Sequence, residues 1–89
     1  MVYLLHFTEP YRHARHYLGS ANDVDARIEA HTNGRGARLT QVCIEHGIGF
    51  DLVRTWQGGR DIERRLKRFK KATLLCPVCN PNAQRRMKI

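Results

Sequence analysis

Two short apolar stretches at the start of the chain, separated by a break, constrain its fold more than any other feature. Val2 to Phe7 is a run with β-branched and aromatic members, which is typical of a strand. Glu9-Pro10 breaks this run, and Tyr11 to Arg15 is a basic, polar connection. His16-Tyr17-Leu18-Gly19 then predicts a second strand. Two strands joined by a short polar connection favour a β-hairpin.

Two helices are predicted after the hairpin, each bounded by residues that start or stop a helix. Asp23 and its polar neighbours offer N-caps for a helix from about Asp23 to His31. The turn Asn33-Gly34-Arg35-Gly36 ends that helix, since two glycines are a strong stop signal. Ala37 to His46 predicts the next helix, which ends at Gly47 and carries Leu39, Val42 and Cys43 on its apolar side.

The second half of the chain predicts one more strand and one more helix. Phe50 to Trp56 alternates, which would place Phe50, Leu52, Arg54 and Trp56 on one face of a strand. After the Gly58-Gly59 turn, Asp61 to Lys71 carries Ile62, Leu66 and Phe69 at helical spacing. The order ββααβα predicts an α+β fold, a small three-stranded and mostly antiparallel sheet flanked by helices.

The length of 89 residues is enough for one domain with a single modest core. We assign this domain to residues 1–75 and a basic C-terminal tail, which loops through a CxxC motif, to residues 76–89. No apolar run is long enough to span a bilayer, and the N-terminus does not resemble a signal peptide. We therefore expect a cytoplasmic protein with no membrane partner.

The charge of the chain favours a polyanionic partner. Sixteen Lys and Arg residues against eight Asp and Glu residues give a formal charge of +8. The basic residues cluster between Arg60 and Lys71, whereas a purely solubilising surface would spread them more evenly. Each phosphate that a cation neutralises releases counterions, so we expect contact with nucleic acid.

Five polar residues occur on these elements in an order that suits phosphodiester cleavage. Tyr3 and Tyr17 are on the two hairpin strands, and Glu63 is in the last, basic helix. Arg27 and His31 are at i and i+4, on one face of the first helix. Two phenols, a guanidinium, an imidazole and a carboxylate could together cut a phosphodiester with one divalent metal ion.

The order and spacing of these residues resemble the GIY-YIG nuclease superfamily. Val2-Tyr3-Leu4 and Tyr17-Leu18-Gly19 correspond to the two segments that name the family, although the first lacks the family's glycine. The resemblance extends from Val2 to about Phe69. The family's C-terminal asparagine has no match, since Asn80 and Asn82 lie too far beyond Glu63. The resemblance implies a small stand-alone endonuclease that hydrolyses DNA.

The resemblance also implies a role for each of the five residues. Glu63 would be the one protein ligand of Mg²⁺ or Mn²⁺, and Arg27 would hold the phosphate with His31 assisting. Either Tyr3 or Tyr17 would activate the water. We expect further DNA contacts from Gly19, Arg12, Arg15, Arg35, Arg38, Arg60 and Lys67. The substrate, including branched or nicked DNA, and the oligomeric state or a partner subunit stay open.

A CxxC motif and a CxxH motif suggest a second, structural metal site. Cys76-Pro77-Val78-Cys79 and Cys43-Ile44-Glu45-His46 could pair as a Cys₃His zinc site, with Cys43, His46, Cys76 and Cys79 as ligands. The alternative is that Cys43 is a core residue and binds nothing. Three cysteines in a chain without an export signal argue against a disulfide framework.

Two other functions fit the same sequence. One is a non-catalytic nucleic-acid-binding module, and the other is a zinc-stapled module whose basic face meets an acidic protein. Single residues also have simpler interpretations. Glu63 could form an i, i+4 ion pair with Lys67 on a solvated helix, and His31 could interact with the dipole at a helix C-terminus.

Overall fold

A computed structural model describes residues 1–68 and 72–80 of the chain. In that part of the chain the elements are β1 Val2–Tyr11, β2 Ala14–Ser20, α1 Val24–Thr32, α2 Arg38–Glu45, β3 Phe50–Trp56, α3 Arg60–Arg68 and α4 Ala72–Leu75. The three strands form one antiparallel sheet in the order β2-β1-β3. The predicted α+β class and the order ββααβα are confirmed, and α4 is added at the end.

The β1–β2 hairpin is longer than the sequence pattern predicted. Glu9 and Pro10 do not end β1, which continues to Tyr11. Pro10 lies beyond Phe7, the last residue of β1 paired with β3, and inside a stretch where the β2 register shifts. Proline lacks the donor that a regular ladder needs, so an irregular stretch is where a strand tolerates it. Arg12, with a φ of 56°, makes the turn into β2.

The pairing of β3 contains a bulge that the alternation pattern did not predict. Leu4 lies opposite Arg54, but the next residue, Leu5, lies opposite Leu52, so Val53 is the extra residue. An extra residue reverses the facing of everything after it. The prediction that Phe50, Leu52, Arg54 and Trp56 share one face is therefore wrong, because Phe50 and Trp56 pack on opposite faces.

Both faces of the sheet are covered, because the central strand β1 is apolar on both sides. On one face lies a cluster that we call the tryptophan core: Val2, Leu4, Trp56, Leu66, Leu75 and Cys76. On the other lies the tyrosine core: Tyr3, Leu5, Phe7, Cys43 and Ile48. The helices α3 and α4 cover the first, whereas α1 and α2 pack against the second. The result is a helix–sheet–helix sandwich.

The ends of the helices follow the predicted signals closely. Asp23 caps α1, where its side chain accepts a hydrogen bond from the backbone N–H of Ala26. Gly47, with a φ of 72°, ends the turn after α2 in the left-handed conformation that glycine favours.

Residues 72–80 contain more regular structure than the sequence pattern predicted. The predicted helix Asp61 to Lys71 is observed as Arg60–Arg68, and Leu66 is buried. The segment predicted to loop from Ala72 begins with α4, and Cys76 after it is fully buried in the tryptophan core. Phe69, Lys70 and Lys71, and residues 81–89 with Asn82, lie outside the described residues.

Candidate functional site

A cleft of about 470 Å³ opens at the edge of the sheet where β2 ends, between α1 and α3. We call it the polar cleft, and its lining residues are Tyr3, Tyr17, Gly19, Ser20, Arg27, Arg60, Glu63, Arg64 and Lys67. A second cavity of about 310 Å³ shares Ser20, Arg27 and Arg60 with it. Four of the five residues that the sequence singled out therefore line one cleft, although they come from four separate elements.

The fifth residue, His31, lies behind the cleft and is bonded to one of its tyrosines. Its Nε2 is 2.7 Å from the hydroxyl of Tyr3, and its Nδ1 is 2.7 Å from Oγ1 of Thr40. The imidazole is buried, with 1% exposed. It is not a solvated histidine at the end of a helix.

The direction of these hydrogen bonds follows from Thr40. Its hydroxyl donates its one proton to the carbonyl oxygen of Ala37 at 2.9 Å, so it can only accept from His31. The proton of neutral His31 is then on Nδ1, and Nε2 accepts from the Tyr3 hydroxyl. The network thus assigns the tautomer of His31 and gives Tyr3 a base to which its proton points.

The surroundings keep both partners neutral. Burial raises the pKa of Tyr3 above its ordinary value and Tyr17 raises it further, whereas the charge of Arg27 acts in the opposite direction. Burial and then the charge of Arg27 lower the pKa of His31. At neutral pH the proton therefore stays on Tyr3, in a bond already directed at His31.

Two glycines make room for this pair. A Cβ on Gly19 would meet the Tyr3 hydroxyl at 2.7 Å and Cε2 of Tyr17 at 2.9 Å. A Cβ on Gly36 would overlap the ring of His31. Real Cβ atoms do not approach other atoms this closely, so only glycine fits at either position without a shift.

Glu63 extends from α3 into the polar cleft and is held at both oxygens. Ser20 donates its hydroxyl to Oε1 at 2.7 Å, and the ammonium of Lys67 lies 2.8 Å from Oε2. The hydrogen bond from Lys67, and then that from Ser20, lowers the pKa of Glu63. The i, i+4 ion pair is thus present, and it presents an ionised carboxylate in a partly exposed position.

The remaining charges of the cleft are positive. Arg27 is exposed on α1, while Arg60, Arg64 and Lys67 follow one another along α3. Four cations against one carboxylate create a field that attracts phosphate and repels free metal ions. Such a cleft suits a cation that arrives together with a polyanion.

The other predicted DNA contacts lie elsewhere on the surface. Arg12 is at the hairpin turn, with its guanidinium 5.6 Å from the ring centre of Tyr11. Arg15 is exposed on β2, Arg35 lies between α1 and α2, and Arg38 begins α2. None of these four lines the polar cleft. Their contact with DNA stays a prediction.

The structure separates the two motifs that were predicted to share zinc. Cys43 is fully buried in the tyrosine core, whereas Cys76 is in the tryptophan core on the opposite face of the sheet. His46 is exposed, with its ring 5.1 Å from that of Tyr11. Because the sheet lies between the two cysteines, the predicted set of four ligands is wrong in Cys43 and His46.

The CxxC motif has other partners, which the sequence reasoning missed. Cys76 and Cys79 meet His6 and His16, and their ligand atoms all lie within 4.8 Å of one another. We call these four residues the His–Cys cluster, and it could hold a metal ion. His6 and His16 lie directly opposite each other on β1 and β2. The hairpin register was the signal that could have identified them.

Three residues of the cleft region were also missed or undervalued: Ser20 as a partner of Glu63, Thr40 as a partner of His31, and Arg64. Thr40 is on a different helix from His31, and no local pattern links the two.

Comparison of the chain with known protein families, with curated proteins and with solved structures finds no match. Among the described residues, none of the helices combines the length and the apolar character needed to cross a membrane.

Proposed function

We propose that this chain is a metal-dependent endonuclease of the GIY-YIG type that hydrolyses phosphodiester bonds in DNA. The observation that carries the proposal is the convergence of Tyr3, Tyr17, Arg27 and Glu63 on one positively charged cleft. Each of them has a simpler role by itself. Together they supply a base, a phosphate clamp and a metal ligand within one site.

The donor set of the cleft fits a hard divalent cation. Mg²⁺ keeps several waters and takes one or two carboxylates together with phosphate oxygens, so a single ionised carboxylate is sufficient on the protein side. Glu63 is ionised, faces the cleft and is oriented by Ser20. Mg²⁺ or Mn²⁺ held there would polarise the scissile phosphate and stabilise the leaving oxygen.

Tyr3 is the tyrosine that we assign as the base, because its hydroxyl is hydrogen-bonded to a buried imidazole that can accept its proton. As the Tyr3 oxygen takes a proton from the attacking water, its own proton moves to Nε2 of His31 across the existing hydrogen bond. The water oxygen bonds to phosphorus while the bond to the leaving oxygen breaks. The imidazolium of His31, made acidic by burial and by Arg27, then returns its proton to the Tyr3 oxygen, and Tyr3 gives up the proton taken from water to the leaving oxygen through solvent.

The cations of the cleft bind the substrate in this scheme. Arg27 can donate two hydrogen bonds to the phosphate and offset the charge that builds up on its oxygens. Arg60, Arg64 and Lys67 line the same cleft on α3 and would hold the backbone on either side of the scissile bond. Lys67, which is paired with Glu63, would be free to contact a phosphate once Glu63 held the metal.

The test is cleavage of labelled supercoiled and branched DNA with Mg²⁺ or Mn²⁺ by the wild type, Glu63→Gln and Asp61→Asn. Asp61 is the matched control, because it is an exposed acid on the same helix and does not line the polar cleft. We expect metal-dependent cleavage by the wild type and Asp61→Asn, and retained DNA binding without cleavage by Glu63→Gln.

Two outcomes would contradict this proposal. Cleavage by Glu63→Gln at the wild-type rate would remove Glu63 from the mechanism. Tight, salt-sensitive binding of DNA by the wild type and by Glu63→Gln, with no cleavage of any substrate, would instead indicate a non-catalytic binding module. The ion pair between Glu63 and Lys67 would then be only a surface contact of α3.

A further inference from the structure

The His–Cys cluster brings together two imidazoles and two sulfurs from opposite ends of the chain. Nδ1 of His6 lies 3.5 Å from Sγ of Cys76 and 3.6 Å from Sγ of Cys79. Nε2 of His16 lies 3.5 Å from Sγ of Cys79 and 3.2 Å from Nδ1 of His6. Each residue thus turns its one ligand atom toward the other three.

These four separations match four of the six edges of a zinc tetrahedron. With Zn–N bonds of about 2.0–2.1 Å and Zn–S bonds of about 2.3 Å, tetrahedral angles put two nitrogens about 3.3 Å apart and a nitrogen and a sulfur about 3.5 Å apart. The observed nitrogen–nitrogen distance is 3.2 Å, and the nitrogen–sulfur distances are 3.5 and 3.6 Å. Hydrogen bonds to sulfur explain single contacts of this length but do not require four atoms to converge.

The position of each ligand follows from the fold. His6 and His16 form a cross-strand pair, so their side chains leave the same face of the sheet. They lie on the face of Leu4 and Leu18, where the tryptophan core is. Cys76 follows α4 directly and Cys79 lies in the turn after it. The cluster is therefore a contact between the hairpin and the C-terminal segment.

The donor types and their burial indicate a structural site for zinc. Two thiolates with two imidazoles form one of the standard four-coordinate zinc sets, and they leave no position for a substrate. Cys76 is fully buried, and the other three residues are half-buried. We propose that His6, His16, Cys76 and Cys79 bind one Zn²⁺ ion that fastens residues 72–80 to the β1–β2 hairpin.

Such an ion would support the tryptophan core, which the same segment closes. Leu75 and Cys76 belong to that core, and a guanidinium nitrogen of Arg54 donates to the carbonyl oxygen of Leu75 at 3.2 Å. A four-residue helix has no stability of its own. A metal with two ligands on each side can supply what the helix lacks, because zinc binding contributes directly to folding.

The first experiment measures zinc in the untagged full chain, purified under reducing conditions from medium with added zinc. We expect one zinc per chain in the wild type. Cys79→Ser and His16→Gln should weaken zinc binding by more than the roughly 10–100-fold that loss of an outer-shell partner costs. Cys43→Ala and His46→Gln are the controls, because the rejected ligand set predicts loss of zinc there; both should keep one equivalent.

A second measurement on the wild type keeps the inference testable if a variant fails to fold. X-ray absorption at the zinc edge should show two sulfur neighbours at about 2.3 Å and two nitrogen neighbours at about 2.0–2.1 Å. A shell of oxygen and nitrogen only would overturn the proposal. So would a wild type that binds no zinc, or zinc loss confined to the Cys43 and His46 variants. None of these results depends on nuclease activity.

Discussion

At the scale of single residues, the most informative feature is the buried hydrogen-bond network that links the side chains of Tyr3, His31 and Thr40. Three side chains from β1, α1 and α2 meet in hydrogen bonds of 2.7 Å, and Gly19 and Gly36 leave the space for their rings. Each polar atom has a defined partner, so removing one leaves another unsatisfied in the interior, at a cost of about 1–3 kcal/mol.

The neutral state of His31 predicts a pH-dependent contribution to stability. Its pKa in the folded chain is below the ordinary value of 6.5, so the unfolded chain binds the proton first as the pH falls. The stability that His31 provides is complete above about pH 6.5 and declines below it, by at most about 1.36 kcal/mol per pH unit. Tyr3, Tyr17, Arg27 and Phe50 surround the ring and offer no carboxylate to offset this.

The measurement is urea unfolding of the wild type and His31→Gln between about pH 7.5 and pH 5, at fixed zinc concentration. We expect the variant to be less stable at the higher pH, because Tyr3 and Thr40 lose their partner. The difference in the free energy of unfolding should shrink as the pH falls. A difference that stays constant or grows would contradict the assignment of a buried neutral imidazole.

The close approach of Gly19 predicts an unequal response to two alanine substitutions. Gly19→Ala should destabilise the chain by about 1–3 kcal/mol, because the new methyl group meets the rings of Tyr3 and Tyr17. Gly49→Ala is the control, since a Cβ there would make an ordinary contact of 3.5 Å with Thr8. Equal midpoints of thermal unfolding for the two variants would show that the tyrosines can move aside.

At the scale of elements, the sheet bulge and α4 are the features that place side chains on their final faces. Val53 is the extra residue that lets β3 supply Phe50 to the tyrosine core and Trp56 to the tryptophan core. The helix α4 then covers the tryptophan core, and an apolar-periodicity pattern cannot identify this helix because four residues are too few to show a period. Both features arise from pairing between distant segments.

Two adjacent leucines test whether α4 is packed as described. Leu75 is 1% exposed and Leu74 is 42% exposed. Leu75→Ala should lower the free energy of unfolding by about 2–5 kcal/mol, since it leaves a cavity in the tryptophan core. Leu74→Ala should change it by less than about 0.5 kcal/mol. Similar effects of the two substitutions in urea unfolding would show that α4 is not docked.

At the scale of the whole molecule, the polar cleft and the His–Cys cluster lie on different parts of the sheet. The cleft is at the edge where Gly19 and Ser20 end β2, whereas the cluster is on one face at His6 and His16. The cleft carries four cations and the cluster none. Substitutions can therefore test the proposed DNA binding and the proposed zinc binding separately.

The salt dependence of binding tests whether the proposed DNA partner occupies the polar cleft. Arg64 lines the polar cleft, and Arg38 lies on α2, which packs on the opposite face of the sheet from α3. If Arg64 neutralises one phosphate, Arg64→Gln should reduce the slope of log affinity against log salt concentration by about 0.9 for duplex DNA. An unchanged slope would move the DNA away from the cleft. Arg38→Gln in the same titration reports whether the duplex also reaches α2.

The sequence was sufficient for what depends on neighbouring residues. The order of elements, the Asp23 cap and the stop at Gly47 follow from short-range signals, and the sheet followed from their order. It was insufficient for what depends on register. The bulge at Val53, the contact of Thr40 with His31 and the pairing of His6 with His16 each require knowing which distant residues are opposite each other.

The register of β1 determines what an error in strand pairing would do to this chain. Tyr3 and His6 are an odd number of residues apart on β1, so they face opposite sides of the sheet. Tyr3 lies on the side of the tyrosine core, and His6 lies on the side of the tryptophan core and the His–Cys cluster. A pairing displaced by one residue would turn both side chains away from their sites together. Misalignment of the hairpin is thus an all-or-none error. A molecule that has slipped loses its proposed zinc ion and its proposed active site in a single event, so metal content would report the fraction of correctly aligned chains.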